Sequence, residues 1–336
     1  MLHNRVGVSF DYYIHNTDDL LTLQTFSNPI AGINNYWTNG GSLRNTGFEA
    51  AVSVKPVVSK DWNLEVGASV GHYKNEVTAL PDGNYTSSVY GDDNILTSVG
   101  NPVALFYGYK TAGVFANDAE ARQVAADAGA DDYLFIKDET GARSYFKAGD
   151  MHFVDLNNDG EINDADKVVI GDPNPDIYGN IFVNLSWKNL TLAANFNYSL
   201  GNDVYNYQRM ILNSGSNFYN QQVAITNHWR YENQQTDIPR ITYNDPMGNS
   251  RFSDRWIEDG SYLRLKTLRL TYKVPVNLSW LQGLSIWGEA TNLFTLTKYL
   301  GSDPEFSIAS SAMYQGIDCG NLAQGRAFTF GLKVNL

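Results

Sequence analysis

Residues 327–336 read AFTFGLKVNL: Phe328, Phe330, Leu332, Val334 and Leu336 fall on one side of an extended chain, and Thr329, Gly331, Lys333 and Asn335 on the other. A repeat of two is the spacing of a strand that shows an apolar face to one environment and a polar face to another. The same alternation recurs upstream. Val6, Val8, Phe10, Tyr12 and Ile14 form one stripe, Phe48, Ala50, Val52 and Val54 a second, and Trp62, Leu64, Val66, Ala68 and Val70 a third. Ile181 to Trp187 and Leu190 to Leu200 repeat it around a turn at Lys188 and Asn189. Tyr262 to Val274 and Leu284 to Phe294 repeat it around Pro275 to Gly283, with Arg264 and Lys266 making the first of these two runs two-faced. The reading is an all-β chain with about eight antiparallel strands, each long enough for the roughly 9–11 residues a tilted strand needs to cross a bilayer. Helix signal is confined to 117–130, where Asp118 and Glu120 precede an alanine-rich body.

Composition narrows the function classes. The 336 residues carry 24 Lys+Arg against 36 Asp+Glu, a net charge of −12, which lacks the basic surplus that nucleic-acid binding requires. One cysteine, Cys319, gives no internal disulfide and too few thiolates for a Cys-based metal centre, and the five histidines do not cluster. No run approaches the ~18 apolar residues of a spanning helix, so an embedded form must be a β-barrel. The opening MLHNRVGVSF does not have the charge and apolar order of a secretory signal.

The connections are lopsided. Those after Val54, Trp187 and Val274 are short, and those over 17–41, 78–176, 201–258 and 297–325 are long. Counting strands back from Leu336 puts every short turn at one end and every long connection at the other, as in outer-membrane barrels with short periplasmic turns and long extracellular loops. Trp62, Trp187 and Trp280 sit beside the short turns, where an interfacial aromatic girdle belongs. Alternation alone describes a soluble sandwich equally well.

One local motif points to a metal. Asp155, Asn157, Asp159, Glu161 and Asp166 occupy positions 1, 3, 5, 7 and 12 of a calcium-loop pattern, with Gly160 at the sharp turn. Asp166 replaces the usual glutamate and no flanking helices are expected, so an acidic surface turn reads the same way. Any Ca2+ there is expected to be structural, stiffening 78–176. Gly67-Ala68-Ser69-Val70-Gly71 satisfies the G-x-S-x-G pattern, but Ser69 falls in mid-strand and not at a strand-to-helix elbow. Glu232, Asp237, Asp254, Glu258 and Asp259 form no pairing a glycosidase would need, and no catalytic residue is assigned. Trp37, Tyr207, Tyr219, Trp229, Trp256 and Tyr314 in the long connections suit sugar stacking or packing equally.

The segments FYGYKTAGVF (106–115), GDMHFVDLNNDGEINDADKVVIGDPNPD (149–176), EDGSYLRLKTLRLTY (258–272), ATNLFTLTKYLGSDPE (290–305) and GRAFTFGLKVNL (325–336) closely resemble the C-terminal part of SusC/RagA-type TonB-linked outer-membrane transporters. RNTGFEA (44–50) resembles another recurring segment of that family. The resemblance runs essentially end to end. It implies part of a plugged barrel of the roughly 22-stranded transporter type, in the outer membrane of a Gram-negative bacterium, importing glycans or oligopeptides. It also implies a SusD-like lipoprotein over the extracellular mouth, and coupling to TonB through N-terminal and plug regions that have no counterpart in these residues. A piece of this kind is expected not to transport alone. The family's usual final phenylalanine is Leu336 here.

Two rivals stand against the importer: a soluble, secreted β-rich carbohydrate-binding protein stiffened by calcium, and a glycan-degrading enzyme. The barrel reading commits Ala68, Val183, Phe196 and Phe330 to the outer face and Asn63, Asn195 and Lys333 to the inner one, because a one-residue slip exchanges the faces. It also commits the side chains of Asp155, Asn157, Asp159 and Asp166 to converge.

Overall fold

A computed structural model describes residues 5–30, 33–81, 83–90, 92–276, 280–306 and 314–335. Eight long strands form one antiparallel sheet in chain order: β1 (Val6–Ile30), β2 (Ile33–Val58), β3 (Trp62–Ala79), β4 (Ile177–Trp187), β5 (Leu190–Leu200), β6 (Tyr262–Val274), β7 (Gly283–Thr291) and β8 (Ala327–Asn335). Each strand pairs with its neighbour in sequence, the meander of an up-and-down barrel wall. A short ninth strand, Thr295–Thr297, continues β7 against β6 after a break at Asn292, whose φ is 52°. No helix among the described residues is long and apolar enough to cross a membrane.

Register carries the apolar stripes across the sheet without a change of face. One row runs Val8, Val52, Ala68, Ile181, Phe196, and another runs Leu192, Leu270, Gly288, Phe330. Val183 shares that face. Gly67, Phe182 and Asn195 form a row on the opposite face, as do Thr271, Trp287 and Gly331. Asn63 and Lys333 lie on this second face. The apolar face is open, with Phe330 84% and Val8 69% exposed, and a belt of that size in water would associate. It is the surface a membrane barrel turns to lipid. Phe330→Arg should therefore cost about 2–4 kcal/mol of stability in a bilayer and Thr329→Arg close to nothing, measured by urea unfolding in lipid vesicles.

The polar face is closely fitted where glycine meets an aromatic across strands. Gly67 lies beneath Phe182 and Gly331 beneath Trp287, and a Cβ at either would stand within 2.5 Å of the ring. This accounts for the glycines flanking Ser69, which sits in mid-strand on β3. Trp62 and Trp187 pair across β3 and β4 at the short-turn end, their rings stacked at 5.8 Å, and Trp280 is exposed at the next short turn.

The connection 17–41, expected to be a long loop, is strand over its described residues: β1 and β2 remain paired past Thr17↔Leu43 as far as Ile30↔Ile33, so the hairpin projects beyond the rest of the wall. Pairing across the hairpin satisfies backbone groups that neither segment satisfies alone. The other long connections are also not open loops. Among the described residues, Val77 and Leu265 are the only fully buried apolar side chains on the eight strands; the rest lie in the connections. The chain thus has its core outside the barrel wall.

One cluster surrounds helix α1 (Asp118–Asp127), which buries Ala121 and Ala125 against Phe115, Leu134, Phe146, Met151, Phe153 and Met247. Asn117 caps the Glu120 amide, and the Glu120 carboxylate accepts from Ala116 N–H at 2.7 Å, a reciprocal cap of the kind that starts helices. A second cluster gathers Ile95, Phe106, Tyr205, Phe252, Trp256 and Ile317.

Candidate ligand-binding platform

Three segments meet in a small sheet above the second cluster. Asp203–Asn206 pairs with Ile257–Asp259 antiparallel and with Ile317–Asp318 in parallel, the one parallel pairing among the described strands. Thr111 from the first long connection donates its N–H (3.0 Å) and hydroxyl (2.6 Å) to Asp254. The platform is therefore a joint product of 78–176, 201–258 and 297–325. By topology it stands at the end of the barrel opposite the tryptophans.

Charged groups brace it. Asp150, fully buried, accepts from Arg240 Nε and Nη2 at 2.8 Å each, from Asn249 Nδ2 at 3.0 Å and from the Lys147 amide at 2.9 Å. Arg264 on β6 is 2% exposed and bonds Asp303, with Nη1 2.8 Å from Glu305 and Nε 2.9 Å from Thr295. Tyr299 donates to the buried Asp318 at 2.5 Å, and burial followed by that carboxylate pushes its phenol far up.

Between 206–238 and 300–302 the platform holds a cavity of about 590 Å3, its wall including Asn206, Arg209, Asn213, Gln222, Asp237 and Arg255. Trp256 lies behind it, 0% exposed, with the guanidiniums of Arg209 (5.3 Å) and Arg255 (4.4 Å) over its ring. Glu258 neutralises Arg209 at 2.6 Å. Burial pushes the Arg255 guanidinium down to about 10, which leaves it charged at neutral pH.

The sequence-predicted residues fall elsewhere. Asp155 accepts from the amides of Asn158 (2.8 Å) and Gly160 (2.7 Å), Asn157 from Asp159 N–H (3.1 Å), and Asp159 from Glu161 N–H (2.8 Å) and Asn157 Nδ2 (2.9 Å). Asp166, fully buried, accepts from Leu156 and Asn163 N–H, and Glu161 pairs with Lys137. The turn is closed by its own amides, helped by φ of 57° at Asn158 and 79° at Gly160. Among the described residues no three His, Cys, Asp or Glu stand together as a set able to hold a metal ion.

Of the aromatics, Trp256 is core and offers no stacking face, while Tyr219 is 73% exposed. Trp229 closes over Gly149, and Tyr207 packs on Tyr205 and Tyr90; Tyr314 is partly open to solvent. The Trp37 side chain and Leu336 lie outside the described residues. Glu258 and Asp254 are occupied with Arg209 and Thr111. Sequence reasoning missed Arg209 and Arg255, since neither lies in a motif; the only signal was an arginine directly before Trp256.

No family model matches the chain. Individual relatives do. TonB-dependent receptor P3 of Formosa agariphila is 30% identical over 351 residues, covering 99% of this chain and 33% of the relative. TonB-dependent receptor SusC of Bacteroides thetaiotaomicron is 27% identical over 99% of this chain and 30% of its own length. The solved RagAB peptide transporter superposes with a TM-score of 0.73 at 23% identity, over 98% of this chain and 33% of that one. Over nearly its whole length the chain is similar to TonB-dependent receptors, SusC among them. It spans about a third of the length of the curated relatives it matches. The open apolar face is then the lipid face, and the compartment is the outer membrane of a Gram-negative bacterium, as for those receptors. The soluble-module alternative is not favoured, because that face would then be left in water. The named relatives are receptors and transporters, not enzymes.

Proposed function

We propose that this chain supplies eight adjacent wall strands and the extracellular platform of a TonB-dependent importer of glycans or oligopeptides. The observation that carries the proposal is one sheet with a continuous exposed apolar face, joined at one end to a folded platform that holds an open cavity with charged and amide side chains in its wall. In this reading the energy of import comes from TonB, acting through parts of the transporter other than these residues, and the platform receives cargo. Deleting the coding sequence should abolish growth on one class of oligomer while its monomers still support growth. Unchanged growth on every oligopeptide and oligosaccharide source would overturn the proposal.

A SusD-like lipoprotein over the mouth belongs to the same proposal. Its support is an exposed aromatic pair on the platform, Phe218 (91% exposed) 5.0 Å from Tyr243, with the exposed Tyr219 next in sequence. Phe218→Asp should reduce co-purification of the lipoprotein without altering barrel assembly; full retention would move the contact elsewhere. Calcium at 155–166 rests on spacing alone. It should raise protease resistance of the turn in the parent and not in Asp159→Ala, and equal cleavage with and without calcium would assign closure to the hydrogen bonds.

A further inference from the structure

The cavity beside Trp256 contains an electrostatic mismatch. Arg209 has its carboxylate in Glu258, at 2.6 Å. Arg255 has none: no carboxylate of the described residues lies within 4.0 Å of it, and its Nε and Nη1, sealed from solvent, have no hydrogen-bond partner. The indole of Trp256 at 4.4 Å holds the guanidinium in place but satisfies none of its N–H groups. A buried cation left without a counter-charge is costly, and a carboxylate entering the cavity that Arg255 lines would supply one.

We propose that this cavity is a subsite for a carboxylate-bearing ligand, with Arg255 making the charge-assisted contact. The proposal depends on the import reading only in calling that ligand cargo. A guanidinium beside a carboxylate gives a charge-assisted contact of about twice the strength of a neutral one. A dianion fits less well, because Asp237, exposed on the same wall, repels a second negative charge. Asn213 Nδ2 donates to Gln222 Oε1 at 3.1 Å, which leaves Gln222 Nε2 as the amide donor suited to the peptide units or hydroxyls that adjoin the carboxylate in an oligopeptide or a uronic-acid oligosaccharide.

The test is calorimetry on the detergent-purified protein, with acetyl-tetraalanine as free acid and as amide, and with a galacturonate trimer against a neutral hexose trimer. The acid of at least one pair should bind about tenfold or more tightly than its neutral counterpart, and which pair shows it identifies the source of the carboxylate. Arg255→Gln should abolish the preference. Because Arg255 packs on a core tryptophan, Asp237→Asn provides a second arm: this surface change should tighten acid binding several-fold, which misfolding cannot imitate. Equal affinity for acid and neutral probes, no measurable binding by either acid, or an Asp237→Asn protein with unchanged or weaker acid binding would each overturn the subsite. A strain that fails to show oligomer-dependent growth while these binding differences persist would remove the import reading and leave the subsite standing.

Discussion

Replacing Arg264 by methionine should release the 297–325 segment from the barrel wall and cost about 3–5 kcal/mol, the usual penalty for breaking a buried ion pair from one side. Arg264 is 2% exposed on β6 and joins Asp303 and Glu305 from that segment, with Thr295 completing its donors. Without it Asp303 stays buried, accepting only the Gln324 and Glu305 amides at 2.8 and 2.9 Å. Arg264→Lys should lose most of the same stability, because a single ammonium cannot serve two carboxylates and a hydroxyl through a planar fork. Lys266→Met, removing a half-exposed partner of Glu305, should cost under about 1 kcal/mol. Limited proteolysis around 297–306, followed against urea, separates these outcomes; equal cleavage of the Arg264 variant and the parent would show that the pair does not hold the segment. The pH dependence has a definite sign. Burial raises the Asp303 carboxyl, but the Gln324 amide and Arg264 outweigh it and hold the carboxyl below its usual value. A depressed carboxylate stabilises above its unfolded pKa and ceases to do so as pH falls through the folded one, so the segment should stay attached at pH 5 and loosen only below the normal carboxylate range.

Asp150→Ala should have a comparable effect, about 3–5 kcal/mol, in a different place. Asp150 joins three separate stretches, 146–151, Arg240 and Asn249, through four hydrogen bonds. Its loss leaves the Arg240 fork and the buried Asn249 without their acceptor, and the α1 cluster opens from beneath. Hydrogen exchange should speed up in 111–114, 146–153 and 240–249 while β4 to β8 keep their protection, because Asp150 touches none of those strands. Asp150→Asn, which preserves shape and some acceptors, should lose less. Faster exchange throughout the wall would mean that platform and barrel unfold as one unit.

The two variants probe the part of the molecule that sequence reasoning read least well. Val8, Val52, Phe330 and their companions announced strands, because a repeat of two is a local property and each residue's face follows from its neighbours. Helix α1 was legible for the same reason: Asn117, Glu120 and the alanines lie within one short window. The segment 17–41 carried no clear alternation, and its extended form depends on cross-strand partners such as Thr17↔Leu43. The 155–166 pattern was legible as oxygen-bearing positions, yet spacing did not show that Asp155 and Asp159 accept from the turn's own amides.

By itself, then, the sequence determined the number of wall strands, the face each residue takes and the end at which the long connections gather, all of which follow from short-range periodicity and chain parity. Tertiary structure alone decided that those connections fold into a platform with its own core, and that Arg255 has no carboxylate within ion-pair distance while Arg209, beside it, has Glu258. The reason is sequence distance. Arg264 meets Asp303 across 39 residues, Asp150 meets Arg240 across 90 and Thr111 meets Asp254 across 143, and no local pattern encodes which of 36 acidic residues a given arginine will reach once the chain has folded.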